Sequence, residues 1–110
     1  MRPLTLRLNK EFRRAYGRGK SFVSPFLVTY VVPNRLGCVR IGITAGKKIG
    51  GAVVRNRAKR VIMAAFLSCR EQLSGGADIV FVARQRTPFC NSNDCLCAMR
   101  QHLTSAGLFK

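Results

Sequence analysis

The sequence predicts an α+β domain with the element order αβββαβα, in which helices pack on one mixed four-stranded sheet. Three observations support this prediction. Some segments carry apolar residues at helical spacing, several short runs are rich in β-branched residues, and turns containing glycine or proline separate them. A chain of 110 residues is one domain's worth, and we expect a single domain over residues 1–110.

The first predicted element is a short helix from Leu8 to Tyr16. Phe12 and Tyr16 stand four residues apart and therefore share one face of this helix. Asn9 is the expected N-cap, because its side-chain oxygen can accept a hydrogen bond from a free backbone N–H group. Gly17-Arg18-Gly19 is expected to stop the helix.

Three strands are expected next. The segment Ser21–Val32 is rich in β-branched and aromatic residues, and a break near Ser24-Pro25 divides it into two strands. The turn at residues 33–37 leads into a further strand, Cys38–Thr44. Because this turn is short, the two strands that flank it are expected to pair in antiparallel fashion.

The C-terminal half is predicted to contain a long helix, a buried strand and a last helix. The long helix runs from about Ala52 to Leu73, and Ala77–Ala83 is short, apolar and β-branched. The last helix starts at Asn91 or Ser92 and runs to about Ser105. A crossover helix places the strands on either side of it parallel. The long helix carries an apolar stripe with Phe66 at its edge: Val54, Ala58, Val61, Ile62, Ala65, Cys69 and Leu73.

The charge balance indicates a polyanionic partner. There are 20 lysines and arginines against 4 acidic residues, a net charge of +16, so RNA or DNA is the expected ligand. Catalysis by the protein itself is disfavoured, because nucleases need clustered carboxylates or an acid–base pair. Here the acids are dispersed (Glu11, Glu71, Asp78 and Asp94) and His102 is the single histidine. The spacing of Gly42–Lys48 does not match a phosphate-binding loop, and no small-molecule substrate is expected.

Cysteine content and hydropathy predict a cytoplasmic protein that contacts no membrane. No apolar run is long enough for a membrane span or for the core of a signal peptide. The 5 cysteines are interpreted as reduced thiols that act as small apolar residues. The alternative is zinc held by Cys90, Cys95, Cys97 and His102. Their spacing fits no standard zinc motif, and no metal site in the protein is predicted.

The most informative segment is the basic run from Lys47 to Arg60. Six cations gather at or just before the start of the long helix, with no acid among them: Lys47, Lys48, Arg55, Arg57, Lys59 and Arg60. The positive end of a helix dipole disfavours such charges, by about 0.3–1 kcal/mol each at low salt. Phosphates at this helix start would relieve the repulsion and accept hydrogen bonds from free backbone N–H groups. We therefore interpret the run as an RNA-binding segment rather than as an ordinary solvated basic face.

The same run resembles the signature of the bacterial ribonuclease P protein subunit, in which an Arg-Asn-Arg-x-Lys-Arg helix follows a Lys-Lys-Ile-Gly turn. Residues 47–50 match the turn, and residues 55–60 match the helix. The spacing of Leu8, Phe12, Tyr16 and Gly19 resembles the first helix of that family. Residues 78–84 resemble its last strand. The resemblance covers about residues 6–105.

The resemblance implies a protein that binds a large catalytic RNA and promotes removal of the 5′ leader from precursor tRNA. Mg²⁺ would be held mainly by the RNA, and the protein would contain no catalytic residue. The implied fold is αβββαβα with a left-handed crossover at the basic helix, opposite to the general rule. Residues implied to contact the catalytic RNA are Lys47, Lys48, Arg55, Asn56, Arg57, Lys59 and Arg60. Residues implied to line a cleft for the leader are Phe12, Tyr16, Val28 and Tyr30.

Two alternatives remain at this point. Aromatic side chains beside cations are typical of single-strand binding, but Phe12 and Tyr16 can also be ordinary packing residues of a helix on a sheet. The alternative function is a ribosomal or other structural RNA-binding protein without a catalytic assembly. Such proteins do not share the basic turn, the basic helix and the aromatic first helix as a set. The chain departs from the family pattern at Gly46, Gly51 and Met63, where the family usually has Ser, Asn and Arg.

Overall fold

In the computed structural model, which describes residues 4–109, three helices pack on a mixed five-stranded sheet. The strands are β1 (Leu4–Thr5), β2 (Lys20–Val23), β3 (Leu27–Pro33), β4 (Val39–Thr44) and β5 (Ala77–Ala83). The helices are α1 (Asn9–Arg18), α2 (Ala52–Cys69) and α3 (Ser92–Ser105). Residues 1–3 and 110 of the predicted domain lie outside the described residues. The α+β class is confirmed, and so is the αβββαβα order once β1 is added.

The strand order β1-β4-β5-β3-β2 places the last strand at the centre of the sheet. β5 pairs antiparallel with β3 and parallel with β4, so the expected parallel pair is confirmed. The expected antiparallel pairing of β3 with β4 is wrong, because β5 lies between them. All residues of β5 except Val82 are buried, and a strand that is apolar on both faces is most stable at the centre of a sheet. The left-handed sense of the β4–α2–β5 crossover stays a prediction.

A fifth strand at the edge of the sheet corrects the prediction of four. β1 pairs in parallel with β4, and the Leu6 amide donates a hydrogen bond to the Ile41 carbonyl at 2.7 Å. A strand of two residues is too short to show a period of two in hydropathy. The sequence pattern therefore contains no signal for β1.

A glutamate, rather than the expected Asn9 cap, starts α1. Glu11 Oε1 accepts hydrogen bonds from the amides of Arg7 and Leu8, both at 2.9 Å. A carboxylate in the first turn satisfies free N–H groups and interacts favourably with the helix dipole. The helix ends at Arg18, past its predicted end.

The other two helices begin and end close to where they were predicted. α2 ends at Cys69, and a 3₁₀ turn, Arg70–Gln72, follows it, so the last part of the predicted helix is wound more tightly. At the start of α3, Asn91 Oδ1 accepts a hydrogen bond from the Asp94 amide at 2.8 Å, as expected for an N-cap. Between residues 4 and 109, no helix has the length and hydropathy needed to cross a membrane.

The helices cover the two faces of the sheet unequally. α2 and α3 cover one face and form the main core with Leu27, Val31, Ile41, Ile79 and Phe81 of the strands. Phe66, predicted at the edge of the apolar stripe, belongs to this core and is 3 % exposed. α1 covers the other face over a smaller cluster of Leu6, Ala15, Val32 and Val80. Because α1 is only 10 residues long, part of that face stays open.

Candidate RNA interface

The open part of the α1 face forms a groove of about 1100 Å³, here called the sheet groove. Its apolar lining includes Val28 and Tyr30 of β3 and Val82 of β5, all half-buried. Three exposed cations also line it: Lys48, Arg84 and Arg86. An apolar and aromatic surface between cations is the arrangement that holds single-stranded nucleic acid.

An aromatic pair stands beside the sheet groove. The rings of Tyr16 on α1 and Tyr30 on β3 meet edge to face, with centroids 5.0 Å apart and an interplanar angle of 83°. Tyr16 is 42 % exposed, so it is not a core residue. The pair presents an aromatic surface at the junction of the helix and the groove.

Phe12 packs on β4 and does not line the sheet groove. Gly42 makes room for its ring, because a Cβ at Gly42 would lie 2.5 Å from the Cε1 atom of Phe12. Phe12 is half-buried and borders a second groove of about 400 Å³, whose lining includes Lys59, Arg60 and Met63 of α2. The four residues predicted for one cleft are therefore divided between two neighbouring regions of the α1 side.

The turn between β4 and α2 links the sheet groove to the basic helix. A 3₁₀ turn, Lys47–Ile49, is followed by Gly50 with a φ of 144°, a backbone conformation that only glycine adopts readily. A Cβ at Gly50 would also press on Val54 at 3.1 Å. Lys48 and Ile49 line the sheet groove. One end of the predicted RNA-binding run therefore reaches the aromatic surface.

The start of α2 carries uncompensated positive charge, as predicted. Gly51 is its N-cap and has no side chain that could cap the helix, and the first turn contains no acid. Four of the predicted RNA contacts are exposed on this helix: Asn56, Arg57, Lys59 and Arg60. Arg55 is half-buried, and its buried Nε has no hydrogen-bond partner within the described part of the chain. An unsatisfied buried donor costs about 1–3 kcal/mol, and an anion bound at this helix start would relieve that cost.

A half-buried arginine binds two of the four acids. Arg40 donates to Asp78 from Nε and Nη2 at 2.9 and 2.8 Å, and to Glu11 from Nη1 at 2.7 Å. Asn34 Nδ2 donates to Asp78 Oδ1 at 2.8 Å. Burial at 1 % exposure would raise the pKa of Asp78, but the hydrogen bonds from Arg40 and Asn34 outweigh it and hold the pKa below its ordinary value. This group, the Arg40 cluster, ties α1 to the sheet.

Four of the five cysteines are buried or half-buried, as the sequence predicts, but Cys97 is exposed. All five are free thiols, with Cys95 buried and Cys97 exposed. Burial, with a smaller contribution from neighbouring thiols, raises the pKa of Cys95 to about 12, which keeps it protonated and apolar. His102 Nδ1 lies 2.8 Å from Thr29 Oγ1 in the core. Within residues 4–109 no three His, Cys, Asp or Glu side chains are grouped as metal ligands, so the structure does not bring Cys90, Cys95, Cys97 and His102 together as the zinc alternative requires.

Sequence reasoning missed Arg84 and Arg86 as groove residues. They directly follow β5, and only the pairing of β5 with β3 brings them beside the β2–β3 connection. Arg84 Nη1 donates there to the Ser24 carbonyl at 3.0 Å. The sequence does show two cations just after an apolar strand, which could have indicated a binding role. The predicted pairing of β3 with β4, however, does not place these cations near Tyr30.

Comparisons with known proteins point to one family. A family model described as Ribonuclease P matches residues 1–107. The ribonuclease P protein component of Clostridium botulinum strain Langeland is 38 % identical over 110 residues, covering 99 % of each chain. The structure of the Staphylococcus aureus RNase P protein matches with a TM-score of 0.84 at 28 % identity, over 99 % of this chain and 100 % of that one. The RNase P protein from Thermotoga maritima matches with a TM-score of 0.81 at 25 % identity, over 92 % and 96 %.

Proposed function

Because the chain belongs to the ribonuclease P protein family, we propose that two of its surfaces bind two different RNAs in the holoenzyme. The chain is the protein component of this ribonucleoprotein endonuclease, which removes the 5′ leader from precursor tRNA. The turn and the start of α2 contact the catalytic RNA, and the sheet groove holds the leader. The observation that carries this division is an aromatic groove lined by cations, adjoining a separate basic helix start.

The catalytic RNA binds at the start of α2 in this proposal. Structured RNA is recognised mainly through its phosphates and its shape, and this surface offers exposed cations, free helix N–H groups and the unpaired Arg55 Nε. A phosphate there would remove the repulsion between the cations and the helix dipole. The contacting residues are Lys47, Lys48, Arg55, Asn56, Arg57, Lys59 and Arg60.

The leader of precursor tRNA binds along the sheet groove. Its bases stack at the Tyr16–Tyr30 pair and against Val28, and its phosphates face the cations that line the groove. Phe12 lies in the second groove, beside Lys59 and Arg60 of the surface for the catalytic RNA. Lys48 belongs to that surface and also lines the sheet groove, so a single strand can pass from the catalytic RNA into the sheet groove.

The chemistry of cleavage belongs to the RNA subunit in this proposal, which also holds the Mg²⁺ ions. Glu11 and Asp78 already bind Arg40, and the residues described between 4 and 109 include no cluster of metal ligands. The protein contributes binding and positive charge. The five free thiols suit the reducing cytoplasm, where we place the assembly.

Protein purified free of RNA is expected not to cleave precursor tRNA at any Mg²⁺ concentration. The measurement is gel analysis of labelled precursor with the protein alone, the catalytic RNA alone and both together. At low Mg²⁺ the mixture should cleave faster than the catalytic RNA alone, because the protein neutralises phosphate repulsion between the two RNAs. Magnesium-dependent cleavage by the RNA-free protein would contradict this assignment of the chemistry.

Arg57→Ala and Arg60→Ala are expected to weaken binding to the catalytic RNA without loss of fold, because exposed cations contribute little to stability. Each lost phosphate contact should reduce the slope of log Kd against log salt by about 0.7–0.9. The measurement is a salt titration of binding to the catalytic RNA, with melting curves as a check on folding. Arg35→Ala is the matched control, because this exposed arginine lies in the turn at the other end of β4. Unchanged slopes in both variants would remove this surface from the RNA interface.

A further inference from the structure

Phe89 is an apolar side chain that the fold holds out in solvent. It is 76 % exposed, although burying a phenylalanine side chain is worth about 1.5–3 kcal/mol. It ends a 3₁₀ turn, Thr87–Phe89, that connects β5 to α3. Neither the catalytic RNA surface nor the sheet groove as described above includes it.

The turn that carries Phe89 is held rigidly. Thr87 is fully buried, and its Oγ1 donates to the Phe26 carbonyl at 2.6 Å and accepts from the Arg84 amide at 2.8 Å. Pro88 is buried beside it, and Cys90 Sγ donates to the Thr87 carbonyl at 3.2 Å. The ring of Phe89 is therefore presented on a fixed backbone, and preorganisation of this kind lowers the entropy cost of binding.

Phe89 lies beside a second aromatic ring and a cation. A shallow pocket of about 380 Å³ is lined by Phe26, Gln85, Arg86, Phe89, Cys90 and Asp94. The guanidinium carbon of Arg86 lies 5.9 Å from the centroid of the Phe26 ring, a cation–π contact. This combination of two rings and an arginine is chemically suited to stacking a nucleobase.

This pocket continues the sheet groove. Gln85 and Arg86 line both, so a strand lying in the groove passes Arg86 directly into the pocket. Phe26 and Tyr30 are four residues apart along the β3 direction, which is at most about 14 Å in an extended strand. At the 3.4 Å spacing of stacked nucleotides, about four nucleotides span this distance.

We propose that Phe26, Arg86 and Phe89 form a second stacking site for the leader, about four nucleotides along the strand from the bases at Tyr16 and Tyr30. The proposal rests on the function proposed above, in which the sheet groove holds the leader. The base stacks on Phe89, and Arg86 binds the neighbouring phosphate. The Asp94 carboxylate repels phosphate, so the part of the pocket that it lines favours a base over a phosphate.

The test measures the affinity of the reconstituted holoenzyme for precursor tRNAs whose leaders lengthen one nucleotide at a time. Phe89→Ala should weaken binding about 5-fold or more once the leader reaches the pocket, and should have no effect on shorter leaders or on mature tRNA. Phe89→Tyr should retain the affinity, because it keeps a stacking ring. In the wild-type protein, an abasic nucleotide at the position that reaches the pocket should lower the affinity as much as Phe89→Ala does. Combining the abasic nucleotide with Phe89→Ala should cause no further loss of affinity. Leu36→Ala, an equally simple truncation of a 59 % exposed side chain at the other end of β3, should change nothing.

The outcomes separate this proposal from the one on which it rests. If Tyr16→Ala gives a leader-dependent loss but Phe89→Ala gives none at any length, the groove binds the leader and the second stacking site does not exist. Contact with another protein would then be the better explanation for the exposed ring of Phe89. Equal losses for precursor and mature tRNA would place Phe89 against the catalytic RNA or the tRNA body, and would also overturn the proposal. If neither variant shows any dependence on the leader, the function proposed for the groove itself is wrong.

Discussion

Replacing Tyr16 with alanine is expected to weaken binding of precursor tRNA to the holoenzyme by roughly 5- to 150-fold, the loss of one base–aromatic stack. Mature tRNA, which has no leader, should bind as before. The reason is the position of the ring, which is partly exposed and stands edge-on to Tyr30 at the mouth of the sheet groove. Equilibrium binding of both labelled tRNAs at one fixed salt concentration measures the effect.

Two further variants make the Tyr16 experiment specific. Tyr16→Phe keeps the stacking ring and should retain most of the affinity. Leu8→Ala truncates another exposed side chain next to α1 and should leave both tRNAs unaffected. Tyr16→Ala should lower the melting temperature only modestly. It removes the edge-to-face contact with Tyr30, worth about 0.5–1.5 kcal/mol, but leaves no cavity in the core. A loss of equal size for precursor and mature tRNA would reject the leader assignment.

Replacing Arg40 with methionine is expected to lower the free energy of unfolding by about 3–5 kcal/mol at pH 7. The change leaves the Asp78 carboxylate buried at 1 % exposure without its bidentate partner. It also removes the link from the sheet to Glu11 on α1. Since small domains are stable by only about 5–15 kcal/mol, urea unfolding followed by circular dichroism should show a large shift in midpoint. Arg35→Met, which replaces an exposed arginine, should change the stability by less than about 0.5 kcal/mol.

Acid pH and a second substitution test the cause of the Arg40 effect. In wild type the pKa of Asp78 is lowered, so its stabilisation is present above about pH 4 and is lost as the pH falls through the folded-state pKa. In Arg40→Met the buried Asp78 carboxyl keeps only the hydrogen bond from Asn34 and the partly exposed Arg14 at 3.7 Å. Burial should then raise its pKa, and protonation should relieve the penalty. The stability difference between the two proteins should therefore shrink on acidification. Adding Asp78→Asn to Arg40→Met should recover stability at pH 7. A difference that is constant with pH, or a double variant no more stable than the single one, would exclude the buried charge as the cause.

Local patterns predicted the helices and the longer strands, but they did not predict how the strands pair. The bounds of β5 (Ala77–Ala83) were predicted from a short apolar, β-branched run between turn signals. A period of two shows which residues of a strand share a face, but it does not name the neighbouring strand. The short turn after Pro33 favoured a hairpin of β3 and β4. The burial of β5 on both faces decided the order instead.

The candidate site also has a part that the sequence predicts and a part that it does not. The basic run at the start of α2 was predictable, because cations placed against a helix dipole are a property of adjacent residues. The contribution of Arg84 and Arg86 to the sheet groove depends on the β3–β5 pairing, which brings residues about 60 positions apart into contact. The packing of Phe12 on Gly42 likewise depends on where α1 crosses the sheet. No spacing within the sequence contains that information.

The central place of β5 also governs the order in which the domain can fold during synthesis. Leu27 pairs with Ala83 and Val39 pairs with Ala77, so neither β3 nor β4 has its main partner until almost the whole sheet-forming chain has been translated. About 39 residues separate the end of β4 from the end of β5, a delay of about 2–8 seconds at 5–20 residues per second. The basic segment at residues 47–60 lies within this interval and leaves the ribosome before the sheet can close. Nascent chains therefore expose their strongest polyanion-binding sequence while still unfolded, and closure of the sheet is a late, long-range step.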